Sequence, residues 1–246
     1  MKPLCLRKRP SLTATVTLVA CLTVAALFAW WVASQADRDL RKTLLGQVRL
    51  AARAVDVERI KTLAGTEADL ESPDYRRLKE QFVAIRSTQP QCRFVYLMGR
   101  KADGTIFFFR DSETPGSAGY SPPGQAYEEA SAGYRRVFDT GAAAVEGPVS
   151  DRWGSWFSAL VPISDPATGA VLAVLGMDTD ARTWKWEMAF RVALPVGLML
   201  ALLIVSSAAL MAWRRVVASP KPISWRLLPP VACIVVFVIL GAAALL

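Results

Sequence analysis

The stretch that decides the fold is Ser150–Ala181, which reads SDRWGSWFSALVPISDPATGAVLAVLGMDTDA. Two apolar runs flank a turn at Asp165–Gly169, with tryptophans before the first run and aspartates after the second. Neither run reaches the roughly 20 residues that a membrane helix needs. Short apolar runs bounded by turn residues are typical of strands. The stretch therefore predicts the last two antiparallel strands of a folded domain.

The segment before this stretch supplies three more strands. Arg93–Gly99 and Thr105–Ser112 are rich in aromatic and β-branched residues, and Asp103-Gly104 between them is a strong hairpin signal. Ala143–Asp151 is a shorter run of the same kind. Five strands with short connections predict one antiparallel sheet with helices packed on its faces, an α+β fold.

Helices are predicted around the sheet. An apolar repeat of three to four residues predicts an amphipathic stalk helix, with members at Leu40, Leu44, Val48, Ala51 and Val55. It either packs on the domain or also forms the seam of a dimer. Ser72-Pro73 begins a second helix that runs to Thr88.

Two further helices follow the hairpin. The segment from Gln125 to Gly141 is predicted as a helix with four apolar residues on one face, namely Tyr127, Ala130, Tyr134 and Val137. Ala181–Met188 is an exit helix. The Pro/Gly/Ser-rich segment 113–124 is a long loop, either a lid over a site or a surface connector.

Three charge-free runs are long enough to cross a bilayer, at Pro10–Ala36, Val192–Trp213 and Leu227–Leu246. Basic residues before the first run and between the second and third place those flanks in the cytoplasm. The expected organisation is a basic tail at 1–11, a first span at 12–34, an external domain at 35–188, a second span at 190–213, a basic loop at 214–226 and a third span at 227–246. We favour an uncleaved anchor over a signal peptide because the first run is long.

Composition narrows the functions. The 246 residues carry a formal charge of +8 and are 53% hydrophobic. Membrane orientation explains much of that charge, so no nucleic-acid partner is predicted. The chain has four cysteines and no histidine, which argues against a zinc-type cluster. We predict no metal, no cofactor and no catalytic residue in this chain.

The external segment resembles the extracytoplasmic PAS-like sensor domains called Cache or PDC domains. The resemblance covers about residues 37–188 and lies in the stalk helix, FVYLMGRKADGTIFFFRDSE, PPGQAYEEA, VEGPVSDRWGSWFSALVPI and GAVLAVLGMDTDA. It implies a PAS-like five-stranded sheet with a long N-terminal stalk helix, in a bacterial inner-membrane receptor most like a sensor histidine kinase. It also implies a ligand between the sheet and the long loop.

Candidate ligand-binding residues follow from the aromatic alternation on the strands and from the polar residues at their ends. They are Tyr96, Phe108, Arg110, Asp111, Tyr120, Trp153, Trp156, Ser158 and Asp178. Arg110 is suited to pair a ligand carboxylate, and Asp111 or Asp178 an ammonium group. Plain core packing and a surface ion pair are the competing interpretations.

The expected function is the N-terminal sensory and membrane region of a receptor that binds a small solute outside the cytoplasm and acts as a homodimer. The catalytic part of a kinase would lie beyond residue 246 or on another protein, because this chain has no histidine to accept phosphate. The sensor part of a diguanylate cyclase, a non-signalling protein that binds an envelope partner and a membrane-anchored enzyme are the alternatives.

Overall fold

A computed structural model describes residues 12–217 of the chain. Residues Ala36–Ala189 form one compact unit, and the remaining described residues, 12–35 and 190–217, belong to a second unit. Two helices among the described residues are long and apolar enough to cross a membrane, judged by length and composition. They contain Val19–Ala54 and Ala181–Arg214, with mean hydropathies of 1.6 and 2.3. The predicted third span, 227–246, lies outside the described residues.

The helices and strands follow one another in the order that the sequence pattern predicts, with two additions. The helices are α1 (Leu12–Ala54), α2 (Val57–Lys61), α3 (Pro73–Ser87), α4 (Ala132–Thr140) and α5 (Ala181–Val217), with a 3₁₀ helix at Glu67–Glu71. The strands are β1 (Cys92–Arg100), β2 (Ile106–Asp111), β3 (Ala144–Asp151), β4 (Gly154–Ser164) and β5 (Val171–Asp180). The short α2 and the 3₁₀ helix are the additions.

The five strands form one antiparallel sheet in the order β2-β1-β5-β4-β3. The stretch Ser150–Ala181 provides the two strands β4 and β5, joined at the predicted turn, where Gly169 has a φ of 74°. Each of these strands pairs on both sides, so the stretch forms the centre of the sheet. The predicted five-stranded antiparallel α+β domain with a long N-terminal helix is confirmed.

Each face of the sheet has its own hydrophobic core. On the first face, α1 and α3 contribute Leu40, Leu44, Val48, Leu78 and Phe82 to a cluster with alternate residues of the strands. On the second face, α4 and the segment before it pack on the strands. The apolar stripe of the stalk helix is thus buried in the chain's own core, which leaves these side chains unavailable as a dimer seam.

One predicted helix is wrong in its first half. The helix expected from Gln125 to Gly141 begins only after Ser131, which caps α4 by accepting a hydrogen bond from the backbone N–H of Tyr134. Before it, the backbone of Gln125 and Tyr127 bonds to β2, through Phe108 N to Gln125 O (3.0 Å) and Tyr127 N to Ile106 O (2.8 Å). Pairing with the open edge of β2 therefore replaces a helical turn here.

Candidate functional site

A small cavity lies on the second face of the sheet, beneath the segment that connects β2 to α4. Residues from four strands, the connecting segment and the β3–β4 turn line it, namely Phe94, Tyr96, Met98, Phe108, Asp111, Gly119, Ser121, Tyr127, Asp151, Trp153 and Asp178. Its volume is about 20 Å³. A space of that size admits roughly one water molecule.

Asp178 lies at the floor of the cavity, on the central strand β5. Its carboxylate accepts a hydrogen bond from the Tyr96 hydroxyl at 2.8 Å, and that hydroxyl is also 2.8 Å from the hydroxyl of Tyr134. Burial raises the pKa of Asp178 to about 7, although the neighbouring hydroxyls of Ser158 and Tyr96 offset part of that rise. The carboxylate is therefore poised to change charge near neutral pH.

Gly176 fixes the position of Tyr96. The two residues face each other across β1 and β5, and a Cβ added at Gly176 would meet the Tyr96 ring at 2.0 Å. Only glycine lets the ring lie flat over the neighbouring strand, which is how the Tyr96 hydroxyl reaches Asp178. The glycine at position 176 therefore determines where the Tyr96 hydroxyl lies in the site.

Asp111 ties the connecting segment to the sheet. Its carboxylate accepts hydrogen bonds from the backbone N–H of Glu113 (3.1 Å) and of Ser121, so it holds both ends of the loop between them. Lys79 of α3 lies 3.5 Å from the same carboxylate. Burial raises the pKa of Asp111, and these hydrogen bonds and the lysine partly offset it.

Asp151 organises the opposite wall. One of its oxygens accepts hydrogen bonds from the backbone of Trp153 (2.9 Å) and Gly154 (3.0 Å) and from the indole N–H of Trp156 (2.9 Å). Its other oxygen accepts the hydroxyl of Tyr127 at 3.0 Å. The sequence DRWG, residues 151–154, is thus a turn whose backbone N–H groups bind the carboxylate of Asp151. The side chains of Tyr127 and Trp156 donate to the same carboxylate.

Aromatic rings form the rest of the wall. The Phe108 ring centroid is 5.5 Å from that of Tyr127 and 6.0 Å from that of Trp153, at tilted and edge-on angles. Tyr96 meets Phe108 edge-on at 5.9 Å. Such packing leaves ring faces and edges directed at one small space.

The structure brings five of the nine candidate residues together at the cavity: Tyr96, Phe108, Asp111, Trp153 and Asp178. Ser158 lies beside Asp178 on the paired strand, and Trp156 supports the wall by packing on Phe94 at 5.1 Å. Tyr120 does not line the cavity, although the residues on either side of it do.

Arg110 lies on the other face of the sheet. It stacks on the ring of Tyr75 in α3, with 3.7 Å from its Cζ to the ring centroid. A β-bulge in the β1–β2 pair is the cause: Met98 pairs with Phe108, whereas Leu97 pairs with Arg110, so the alternation shifts by one residue. As a result, Asp111 lies on the cavity face of the sheet and Arg110 does not.

Sequence reasoning missed several lining residues, chiefly Asp151, Tyr127, Phe94 and Met98. Asp151 had a usable signal, since an aspartate in a turn typically accepts a hydrogen bond from the backbone N–H two residues further on. Tyr127 had none, because its spacing imitates a helix.

The charges at the cavity are of one sign. Three carboxylates line it, those of Asp111, Asp151 and Asp178, and the lining residues include no lysine or arginine. Within residues 12–217, no group of three or more Asp, Glu or Cys side chains is placed to hold a metal ion. Carboxylates within aromatic walls suit an organic cation, which gains from both.

Comparison with known proteins gives a structural match only. No family model matches the chain, and no curated protein matches it. Among solved structures, the ligand-binding domain of the Campylobacter jejuni chemoreceptor Tlp3, in complex with 4-methylisoleucine, aligns with a TM-score of 0.50 at 14% identity. That alignment covers 73% of this chain and 66% of the Tlp3 domain, so the chain spans just under two-thirds of the structure it matches.

Two other sensory domains match with lower scores. The ligand-binding domain of the Pseudomonas aeruginosa amino acid chemoreceptor PctC, in complex with GABA, is 19% identical, with a TM-score of 0.32 over 61% of this chain and 68% of its own. The periplasmic domain of RsbU from Chlamydia trachomatis is 17% identical, with a TM-score of 0.32 over 64% and 56%. The Tlp3 match shows that the chain shares the fold of a bacterial sensory domain.

Proposed function

We propose that this chain is the sensory and membrane region of a bacterial signal-transduction receptor, and that its external domain binds a small solute carrying an ammonium group. The observation that carries the proposal is the cavity, in which three carboxylates and several aromatic rings converge without a basic residue. The ligand of the Tlp3 domain, 4-methylisoleucine, also carries an ammonium group.

The ligand enters, on this proposal, by displacing the segment between β2 and α4. The cavity of about 20 Å³ is too small for an amino acid, whereas binding sites for small organic molecules span roughly 300 Å³ or more. The segment closes over the cavity with Gly119 and Ser121 and is fastened by Asp111. An ammonium group that binds Asp178 and also draws on the carboxylate of Asp111 would weaken this fastening and favour the open arrangement.

A contact path leads from the cavity to the helices that continue into the apolar runs. Asp151 binds the indole of Trp156, and the next residue, Phe157, stacks on Trp184 of α5 at 4.2 Å. Arg41 of α1 lies over both rings, 5.1 Å from the centroid of Phe157. A shift of β4 would thus reach α1 and α5 together.

The polar contacts of Arg41 strengthen this junction. Arg41 donates to the backbone oxygens of Val145 (3.4 Å) and Gly147 (3.2 Å) in β3 and pairs with Asp37 at 2.7 Å. Asp37 in turn accepts the indole N–H of Trp184 at 3.2 Å. The sheet edge, α1 and α5 are therefore joined by one set of contacts.

For the complete receptor we propose a multi-pass protein of the bacterial inner membrane with a cytoplasmic N-terminus and the domain at 35–188 outside. Two apolar helices and the basic flanks of the predicted spans support this orientation. We propose a homodimer whose output is a histidine kinase. Its phosphoacceptor would lie outside these 246 residues, which contain no histidine.

A thermal-shift screen of the full chain in detergent tests ligand binding. The probes are amino acids, aliphatic amines, and carboxylic acids of equal size that lack the amine. We expect amine-bearing compounds to raise the unfolding midpoint through Asp178, and any shift caused by the matched acids to be independent of Asp178. Asp178→Asn should abolish the shift, and Asp180→Asn, two residues further along β5, should retain it. A shift with the acids alone would refute an ammonium-binding site.

A further inference from the structure

Arg110 is a buried cation without an anionic partner. The residue is 4% exposed, and among the residues that the structure describes it forms no ion pair. Its Nε is fully buried and unpartnered, and so is the hydroxyl of Tyr75, the residue on which it stacks. Burial of a guanidinium is unfavourable unless an anion or other acceptors compensate for its lost hydration.

A second cation lies close by. Lys79, one turn along α3 from Tyr75, is 5.6 Å from the ring centroid of Tyr120. Burial lowers the pKa of Lys79, and the charge of Arg110 is the next largest cause. Two cations and two phenol rings therefore gather between α3, the end of β2 and the loop that follows it.

The charges around this cluster do not balance. The carboxylate of Glu113 is shared by Arg86 and by Arg93, which lies at 2.8 Å. Asp111 is the only other carboxylate of the cluster, and Lys79 is its basic partner. Four cations thus meet two carboxylates, and Arg110 is the one that has neither a carboxylate contact nor solvent, since the Arg93 side chain is about half exposed.

We propose that Arg110, Tyr75 and Lys79 form an anion site for a small oxyanion, a carboxylate or a phosphate, on the face of the sheet opposite the cavity. The planar guanidinium offers parallel N–H donors that match two oxygens of such a group. The Tyr75 hydroxyl supplies a further donor, and Lys79 supplies charge. One oxyanion would satisfy both orphaned atoms and give Arg110 an anionic partner.

The site adjoins the fastening of the loop. Lys79 also donates to the backbone oxygens of Asp111 (3.3 Å) and Glu113. An oxyanion at Arg110 would draw on the same ammonium group. The anion would therefore act on the loop from the face opposite the solute, as a second input that needs no contact with the cavity.

The experiment is a thermal titration of the full chain in detergent, in Tris chloride at pH 7 and constant ionic strength. Sodium phosphate and sodium acetate are the two probes. Unfolding is followed by tryptophan fluorescence. At ten times the dissociation constant we expect a saturable rise of about 3–6 °C in the midpoint for at least one probe. A shift with phosphate alone assigns the site to phosphate, and a shift with acetate alone assigns it to carboxylates.

Variants show where the anion binds. Arg110→Gln should abolish the shift. Arg76→Gln, which removes an exposed charge from α3, the helix that carries Tyr75 and Lys79, should retain it. If Arg110→Gln does not fold, Tyr75→Phe serves instead and should weaken binding at least about fivefold, the loss of one hydrogen bond. Asp178→Asn should leave the anion shift unchanged, which separates this site from the amine site.

Three results would overturn the proposal. The first is no shift with either probe, which would mean that water alone occupies the site. The second is an equal shift in the wild type and Arg110→Gln, which would indicate a general salt effect. The third is an unchanged phosphate affinity in Tyr75→Phe.

Discussion

Replacing Asp178 by asparagine should make the protein more stable than the wild type at alkaline pH. The same change should remove the rise in unfolding midpoint that amines cause. The folded protein holds a proton on Asp178 up to a pKa of about 7, whereas an aspartate in the unfolded chain releases it near 3.9. Between these values the folded state binds one proton more, so the free energy of unfolding falls as the pH rises. The penalty is complete above pH 7 and absent below about pH 4.

The size of the effect follows from the shift in pKa. Three pH units correspond to a ceiling of about 4 kcal/mol at 1.4 kcal/mol per unit. Asparagine avoids this penalty and can still accept the hydrogen bond from Tyr96, but its amide N–H groups also need partners in a buried position. We therefore expect about half the ceiling, or about 2 kcal/mol at pH 8, which corresponds to about 4–8 °C in the midpoint.

The assay is unfolding of the full chain in detergent at pH 5, 6, 7 and 8, followed by tryptophan fluorescence. The difference between Asp178→Asn and wild type should be smallest at pH 5 and should grow until pH 8. Asp180→Asn is the matched control, because Asp180 accepts the backbone N–H of Arg182 at the start of α5 and lies outside the cavity. Destabilisation by Asp178→Asn at pH 8, or a gain that does not vary with pH, would refute the reasoning.

Three further changes test the supports of the site. Gly176→Ala should cost about 1–3 kcal/mol in urea unfolding, since its Cβ would collide with Tyr96; a neutral effect would contradict the proposed packing. Asp111→Ala should speed proteolytic cleavage within residues 112–121 by roughly 5–30-fold, because loss of a buried acceptor costs about 1–2 kcal/mol of local stability; unchanged cleavage would show that the loop is held elsewhere. Arg41→Ala should lower stability by about 1–3 kcal/mol but keep amine affinity, whereas the exposed Lys42→Ala should change stability by less than about 0.5 kcal/mol; equal effects in the two variants would exclude the junction.

The sheet was predictable because its strands carry local signals. β4 and β5 are short apolar runs around a Gly-containing turn, and the β1–β2 hairpin has Asp103-Gly104 at its tip, where Gly104 has a φ of 87°. These signals depend on near neighbours in the chain, which a single sequence contains. The strand order, which places β5 between β1 and β4, depends on distant pairings and came only with the structure.

The site was predictable in part, and the failures have physical causes. Alternation from Phe108 places Arg110 on the cavity face, but one bulge residue reverses this and directs Asp111 there. The spacing of Tyr127 and Tyr134 fits a helix face, yet backbone pairing with β2 holds Tyr127 extended at the cavity. Bulges and edge pairing depend on the partner strand, so no reading of the local pattern could reveal them.

The most direct test of the proposed function is the affinity of the full chain for an aliphatic amine at two pH values. Titration calorimetry with butylamine, and with butyrate as the matched acid, provides it. If the ionised form of Asp178 binds the ammonium group, affinity should rise about 30-fold from pH 5.5 to pH 8, in proportion to the fraction of that carboxylate that is ionised. Butylamine that does not bind, or an amine affinity that does not change with pH, would contradict an ammonium site at Asp178.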